Sequence, residues 1–174
     1  MAKQQSEEIA MKFLKTSIFA IATVFVLSNF VAAEAVVPNT GRGYSAVTSS
    51  TVTPLADGST LIKQTTHDVW IENPNAADFP AEKAADCRGT LLLSAQGAPI
   101  AFRGTCTATD VDGDTFIATN GAATPDFSDC TWAMHGGTGK YAGVTGSGTC
   151  VQGGPFTKDG NNSKFSWKGE WVLP

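Results

Sequence analysis

Histidine is scarce in this chain: His67 and His135 are the two among 174 residues. Neither has a serine or cysteine in a recognisable nucleophile setting, so nothing in the sequence builds a catalytic triad. No C-x-x-C spacing occurs, which together with the shortage of histidine argues against zinc. Runs of lysine or arginine are missing too. With 12 basic and 16 acidic residues the formal net charge is −4, a balance that disfavours nucleic acid and anionic membrane as partners. Helix-period patterns are thin, whereas Gly, Thr, Ser and aromatic residues recur at strand spacing. The expected class is therefore all-β, with little helix outside the N-terminal segment.

The long apolar run, Ile18 to Val31, follows Lys12 and Lys15 and precedes Ala33-Glu34-Ala35, an A-x-A cleavage signature. Met11–Ala35 reads as a secretory signal cleaved after Ala35, with Ala33 as the alternative. Glu7 and Glu8 stand where a basic region is expected, which makes Met11 an alternative start. An uncleaved anchor is the rival reading, but the run falls short of the roughly 20 apolar residues a span needs and contains Ser28 and Asn29. No cysteine near the cleavage region offers an acylation site. The expected product, residues 36–174, is one secreted domain, periplasmic or extracellular and not integral to a membrane. Three lysines and three acids leave with the signal, so the net charge of −4 stays with that domain.

All four cysteines, Cys87, Cys106, Cys130 and Cys150, follow the signal, and an even number delivered to an oxidising compartment predicts disulfides. Redox-active thiol pairs are the alternative. Three connectivities exist, and strand register favours one of them. Pairing Cys87 with Cys106 sets Gly89 against Gly104, Leu91 against Phe102 and Leu93 against Ile100, with Arg88, Thr90, Arg103 and Thr105 on the other face. Pairing Cys130 with Cys150 sets Trp132 against Gly148 and Met134 against Gly146, with Thr131 opposite Thr149 and Ala133 opposite Ser147. An indole over a cross-strand glycine fills the space of the missing side chain.

Strands are expected at Gly43–Thr53 and Thr60–Ile71, joined through the Pro54–Gly58 turn. Glu72–Asp86, with Pro74, Pro80 and many Ala and Asn, reads as a long irregular connection of the kind found at a barrel mouth. Leu91 and Ile100 flank a turn at Ser94–Pro99. Asp112-Gly113 predicts a tight turn leading into Thr115–Thr119. After a break at Gly121–Asp126, strands are expected at Phe127–Met134 and Thr145–Val151. Turn signals at Gly153-Gly154-Pro155 and Asp159–Asn162 then lead to the clearest strand, Lys164–Leu173. There Phe165, Trp167, Gly169, Trp171 and Leu173 share one face, and Lys164, Ser166, Lys168 and Glu170 the other. Eight segments linked in sequence suit an antiparallel up-and-down sheet, and closing it into a barrel removes its edges.

Three motifs in order, TCTATDVDGDTF, GGTGKYAGVTGSG and WKGEWVLP, resemble a family of small secreted bacterial proteins of unknown function, over roughly Gly41 to Pro174. That family is related in fold to the allene oxide cyclase and dirigent barrels. The resemblance implies an eight-stranded antiparallel barrel. It carries over no catalytic residue, because the plant proteins' functional positions do not map onto this chain.

Few residues suggest chemistry. Asp110, Asp112 and Asp114 would suit a hard cation. An EF-hand begun at Asp110 would need Gly and Glu where Thr115 and Gly121 stand, so a solvated hairpin turn is expected. Gly136–Lys140 fails as a phosphate loop, because Met134 and Tyr141 occupy two of its essential positions. A glycine connection with positive φ packed close to Tyr141 is the better reading. Glu72, Asp126, Asp129 and Glu170 are candidates for a carboxylate pair, and Asn161-Asn162-Ser163 matches a glycosylation sequon.

The leading functional expectation is non-enzymatic binding of a small apolar ligand inside the barrel by Trp132, Phe165, Trp167, Trp171 and Tyr141, with the interior opening toward Glu72–Asp86. No cofactor or metal is implied. A structural or protein-interaction barrel of the cell envelope, as a homo-oligomer or with another partner, is one alternative. A cyclase- or isomerase-like enzyme, by fold analogy alone, is the other.

Overall fold

The structure is a computed structural model that describes residues 34–73 and 79–174. The signal reading lies outside these residues except for Glu34 and Ala35. Among the described residues the strands are β1 (Ala35–Pro54), β2 (Thr60–Asn73), β3 (Glu82–Leu93), β4 (Pro99–Asp110), β5 (Thr115–Ala122), β6 (Thr131–Gly137), β7 (Thr145–Pro155) and β8 (Asn162–Leu173). One short 3-10 turn, Gly139–Tyr141, lies between β6 and β7. Each strand pairs antiparallel with the next and β8 returns to β1, so the sheet is a closed up-and-down barrel of eight strands. Closure leaves no unpaired edge.

Both disulfides join the expected partners, Cys87 with Cys106 and Cys130 with Cys150. The β6–β7 register is the expected one from Thr131↔Thr149 to Met134↔Gly146. In β3–β4, Gly89↔Gly104 and Leu91↔Phe102 also hold, but a bulge between Leu92 and Leu93 moves Leu93 opposite Pro99 instead of Ile100.

Several boundaries differ from the sequence reading, each for a local reason. β1 begins eight residues earlier than Gly43, because Ala35–Arg42 pairs with β8. Its inward positions there include Asn39 and Gly41, which break the apolar alternation. Glu82–Asp86 belongs to β3 and is not loop. Its Lys, Ala and Asp residues have weak strand preference, yet Lys83 and Ala85 are buried inside the barrel. Gly121 and Ala122 end β5, so the break starts later than expected. The strand expected from Phe127 starts only at Thr131. Phe127 takes φ 55°, and the Asp129 carboxylate accepts the Ala123 and Thr124 N–H groups, which ties 123–130 into a turn. Gly153-Gly154-Pro155 lies within β7, where a register shift between Gln152 and Pro155 absorbs it.

Inward-facing residues fill the barrel unevenly. One end carries the β2–β3, β4–β5 and β6–β7 connections. There Phe79 stacks on Tyr141 with centroids 5.2 Å apart and meets Trp171 edge-on at 4.7 Å, while Phe116 lies 4.9 Å from Tyr141. Tyr141, Phe116 and Trp171 are buried. The expectation that the barrel opens toward Glu72–Asp86 is not met: Phe79 in that connection packs into the end and closes it. Of the connection itself, 74–78 lies outside the described residues.

Candidate functional site

Tryptophan needs room at a curved wall, and this chain provides it with glycine. Trp132 on β6 lies across Gly148 of β7 and Gly169 of β8. A Cβ at either glycine would come within 2.7 Å of its indole, so the ring lies flat only because both side chains are absent. Its Nε1 donates to Lys168 O at 3.3 Å. Trp167 occupies the space over Gly41, and its Nε1 donates to Asn39 Oδ1 at 2.6 Å. Trp70, from β2, stands among Phe116, Phe165 and Trp167 with centroids 5.8–6.4 Å apart. These rings wall an interior cavity of about 50 Å³.

The cavity grades in accessibility. Its wall is buried at Glu72, Phe116, Met134 and Trp171, and half-buried at Asn120, Trp132, Gln152 and Phe165. The half-buried group lies toward the end carrying the β5–β6 and β7–β8 turns, where Phe127, 5.0 Å from Phe102, packs beside the buried Cys130 and Cys150 with Trp132 and Trp167. Trp132, Phe165, Trp167 and Trp171 all border it. Tyr141 does not; it sits behind Phe116 and its hydroxyl donates to Asp110 Oδ2 at 3.1 Å. Trp70 and Asn39 are wall residues that sequence reasoning missed. The signal for Trp70 was the alternation Asp68, Trp70, Glu72 along β2, hidden because it asks two acids to face inward.

At the closed end of the cavity Lys83 Nζ meets Glu72 Oε2 at 2.5 Å and also donates to Pro80 O at 2.7 Å. Burial pushes the Glu72 carboxyl up, against the pull of the Lys83 ammonium and its hydrogen bonds from Lys83 and Asn39. Asp68 is likewise pushed up by burial, opposed by hydrogen bonds from Ser45, Thr66 and Trp70; the Ser45 bond is 2.6 Å. The sulfurs of Cys87 and Cys106 lie close to Asp68, but they are bonded to each other and supply no thiolate for a metal.

The aspartate hairpin holds a cation from its own chain. Lys140 Nζ is 2.8 Å from Asp110 and Asp112 and 3.0 Å from Asp114, so the expected solvated turn is in fact a docked one. Gly139, at φ 51°, lets the chain reach this position, since a Cβ there would overlap the Asp114 carboxylate. Burial raises the Asp110 carboxyl, but hydrogen bonds from Lys140, Tyr141 and two backbone N–H groups outweigh it and hold the group below the ordinary range. Tyr141 in turn is raised by burial and by Asp110. Stability from Asp110 is thus present above its unfolded value, about 3.9, and lost as pH falls through the lower folded value. Lys140→Met raises that folded value, so near-UV circular dichroism should show acid unfolding at a higher pH than in the wild type. An unchanged midpoint would mean that the lysine contributes nothing.

The remaining candidates do not converge. His67 pairs with Asp86 at 2.8 Å and His135 Nε2 lies 2.8 Å from Thr119 Oγ1, both on the exposed surface. Asp129 caps the 123–130 turn, and Asp126 accepts the Ser128 N–H in the same turn. Glu170 faces outward as expected. Of the four carboxylates singled out in the sequence, Glu72 alone reaches the cavity. Neither a protein-family model nor a curated protein matches the chain. Among solved structures, the chain is similar to the pterocarpan synthase dirigent protein GePTS1, at 12% identity and a TM-score of 0.49, over 81% of this chain and 86% of that one.

Proposed function

We propose that this is a secreted, non-catalytic barrel that binds a small apolar molecule inside, entering from the end opposite Phe79. The observation that carries the reading is the aromatic cavity, whose wall grades from half-buried at Trp132 and Phe165 to buried at Trp171, with Asn39 and Glu72 at its deep end. Apolar walls supply affinity and a few fixed polar groups supply orientation.

Size narrows the ligand. About 50 Å³ is well below the 150 Å³ or so that holds a benzene ring and holds only a few waters. A larger molecule enters by turning Trp132, whose half-buried ring has one long hydrogen bond as its polar tie. Two disulfides suit maturation outside the cytosol. No helix among the described residues is long and apolar enough to cross a membrane.

Native mass spectrometry of protein purified without detergent, followed by denaturing extraction, tests the reading. A reproducible small apolar molecule is expected. A clean apo mass that added lipophilic compounds do not shift would leave a filled structural barrel in front.

A further inference from the structure

A second concavity lies on the outer face of β3–β6, with a volume of about 620 Å³. Register builds it from two rows. Arg88, Thr105, Thr119 and Ala133 align in one; Thr90, Arg103, Gly121 and Thr131 align in the next. β2 extends both rows, with Thr65 beside Arg88 and Lys63 beside Thr90. Gly121 and Ala133 keep the floor low. A Cβ at Gly121 would lie 3.4 Å from Arg103 Cδ and 3.6 Å from its Nη1, so the Arg103 side chain runs along that floor.

Among the described residues nothing neutralises the cations of this face. Lys63, Arg88 and Arg103 make no hydrogen bond or ion pair with any described residue. Asp86, two residues from Arg88 on the same strand face, is engaged by His67 at 2.8 Å. Arg88 and Arg103 are diagonal neighbours about 7–8 Å apart at the backbone, close enough for one ligand to bridge them. Between and beside them stand the hydroxyls of Thr90, Thr105 and Thr131, each able to donate and to accept, and that of Thr119, one of whose bonds goes to His135.

We propose that this outer groove binds an acidic polysaccharide. Its carboxylate or sulfate groups meet the Arg88 and Arg103 guanidiniums, whose planar forks match such oxyanions. Its sugar hydroxyls meet the threonines. A groove crossing four strands is roughly 14 Å long, which suits an extended chain more than a lone ion. Nucleic acid presents a phosphate about every 3.4 Å along each strand, denser than guanidiniums roughly 7–8 Å apart match, and a lipid surface would call for apolar residues around the cations.

Calorimetric titration of the purified protein with a dextran sulfate oligomer, against neutral dextran of equal length, tests the proposal. The sulfated chain should bind, more weakly as sodium chloride is raised, and the neutral chain should not. Arg88→Gln combined with Arg103→Gln should weaken binding about tenfold or more, with an unchanged melting temperature because both side chains lie on the outer face. Any of four results overturns the proposal: equal binding of neutral dextran, unchanged affinity in the double variant, no binding by the wild type at low salt, or inorganic sulfate binding as tightly as the oligomer. Sedimentation showing self-association that the double variant abolishes would also overturn it, by assigning the face to a second copy of the chain.

Discussion

Alanine in place of all four cysteines should leave the barrel at the edge of folding. Each disulfide links residues 19 or 20 positions apart. In the chain-entropy model a loop of that length is worth about 3 kcal/mol, so the two together approach 6 kcal/mol. A domain of this size has about 5–15 kcal/mol in total. The Cys87–Cys106 and Cys130–Cys150 pairs belong to different core clusters, so the two losses should nearly add. Urea titrations of the two double variants and the quadruple variant check this. Each double variant should lose about 3 kcal/mol. A quadruple variant as stable as the wild type would show that the bridges restrain nothing the hairpins do not already fix.

Lys83→Met should cost about 3–5 kcal/mol at pH 8, because it strands the Glu72 carboxylate in the barrel without its cation. The pH dependence follows from the sign of the shift. Glu72 is already raised above its unfolded value, about 4.3, by burial, and removing Lys83 raises it further. A group raised on folding binds its proton more tightly in the native state, so the variant loses stability as pH rises from the unfolded value through the folded one. The deficit should be small near pH 4 and grow as pH rises toward 8. Adding Glu72→Gln removes the stranded charge, so the double variant should recover most of the loss and its deficit should no longer vary with pH. Thermal melts from pH 4 to 8 check both. A deficit independent of pH in the single variant would mean that Lys83 acts through its bond to Pro80 and its packing over Trp171, not through Glu72.

These expectations also show where sequence was a sufficient guide. The disulfide registers were legible because cystine, glycine and aromatic residues fall on one face at a period of two, so a single shift would have reversed every side chain. The β8 face was legible for the same reason. The boundaries of β1 and β3 were not, because their inward positions are Asn39, Lys83 and Ala85, which alternation discounts. The closed end was hidden more deeply. Phe79 lies in a Pro- and Ala-rich connection that reads as an open mouth, and its role depends on Tyr141 and Trp171, which are distant in sequence. The docked aspartate turn was hidden for the same cause: the aspartates and Lys140 lie some thirty residues apart, and the turn between β6 and β7 brings them together.

The cavity decides what kind of protein this is, and Ala118 is the place to question it. Ala118 lies on its buried wall, and Ala118→Leu puts a larger side chain into the space at an overpacking cost of about 1–3 kcal/mol, which a two-disulfide barrel should withstand. The direct measurement is intrinsic tryptophan fluorescence during titration with a series of small apolar compounds, in the wild type and in Ala118→Leu. A binding interior predicts saturable changes in the wild type, strongest for compounds small enough to pass Trp132, and their loss in a variant that still melts cooperatively. A flat response across the series in the wild type, or saturable changes that survive in Ala118→Leu, would contradict it.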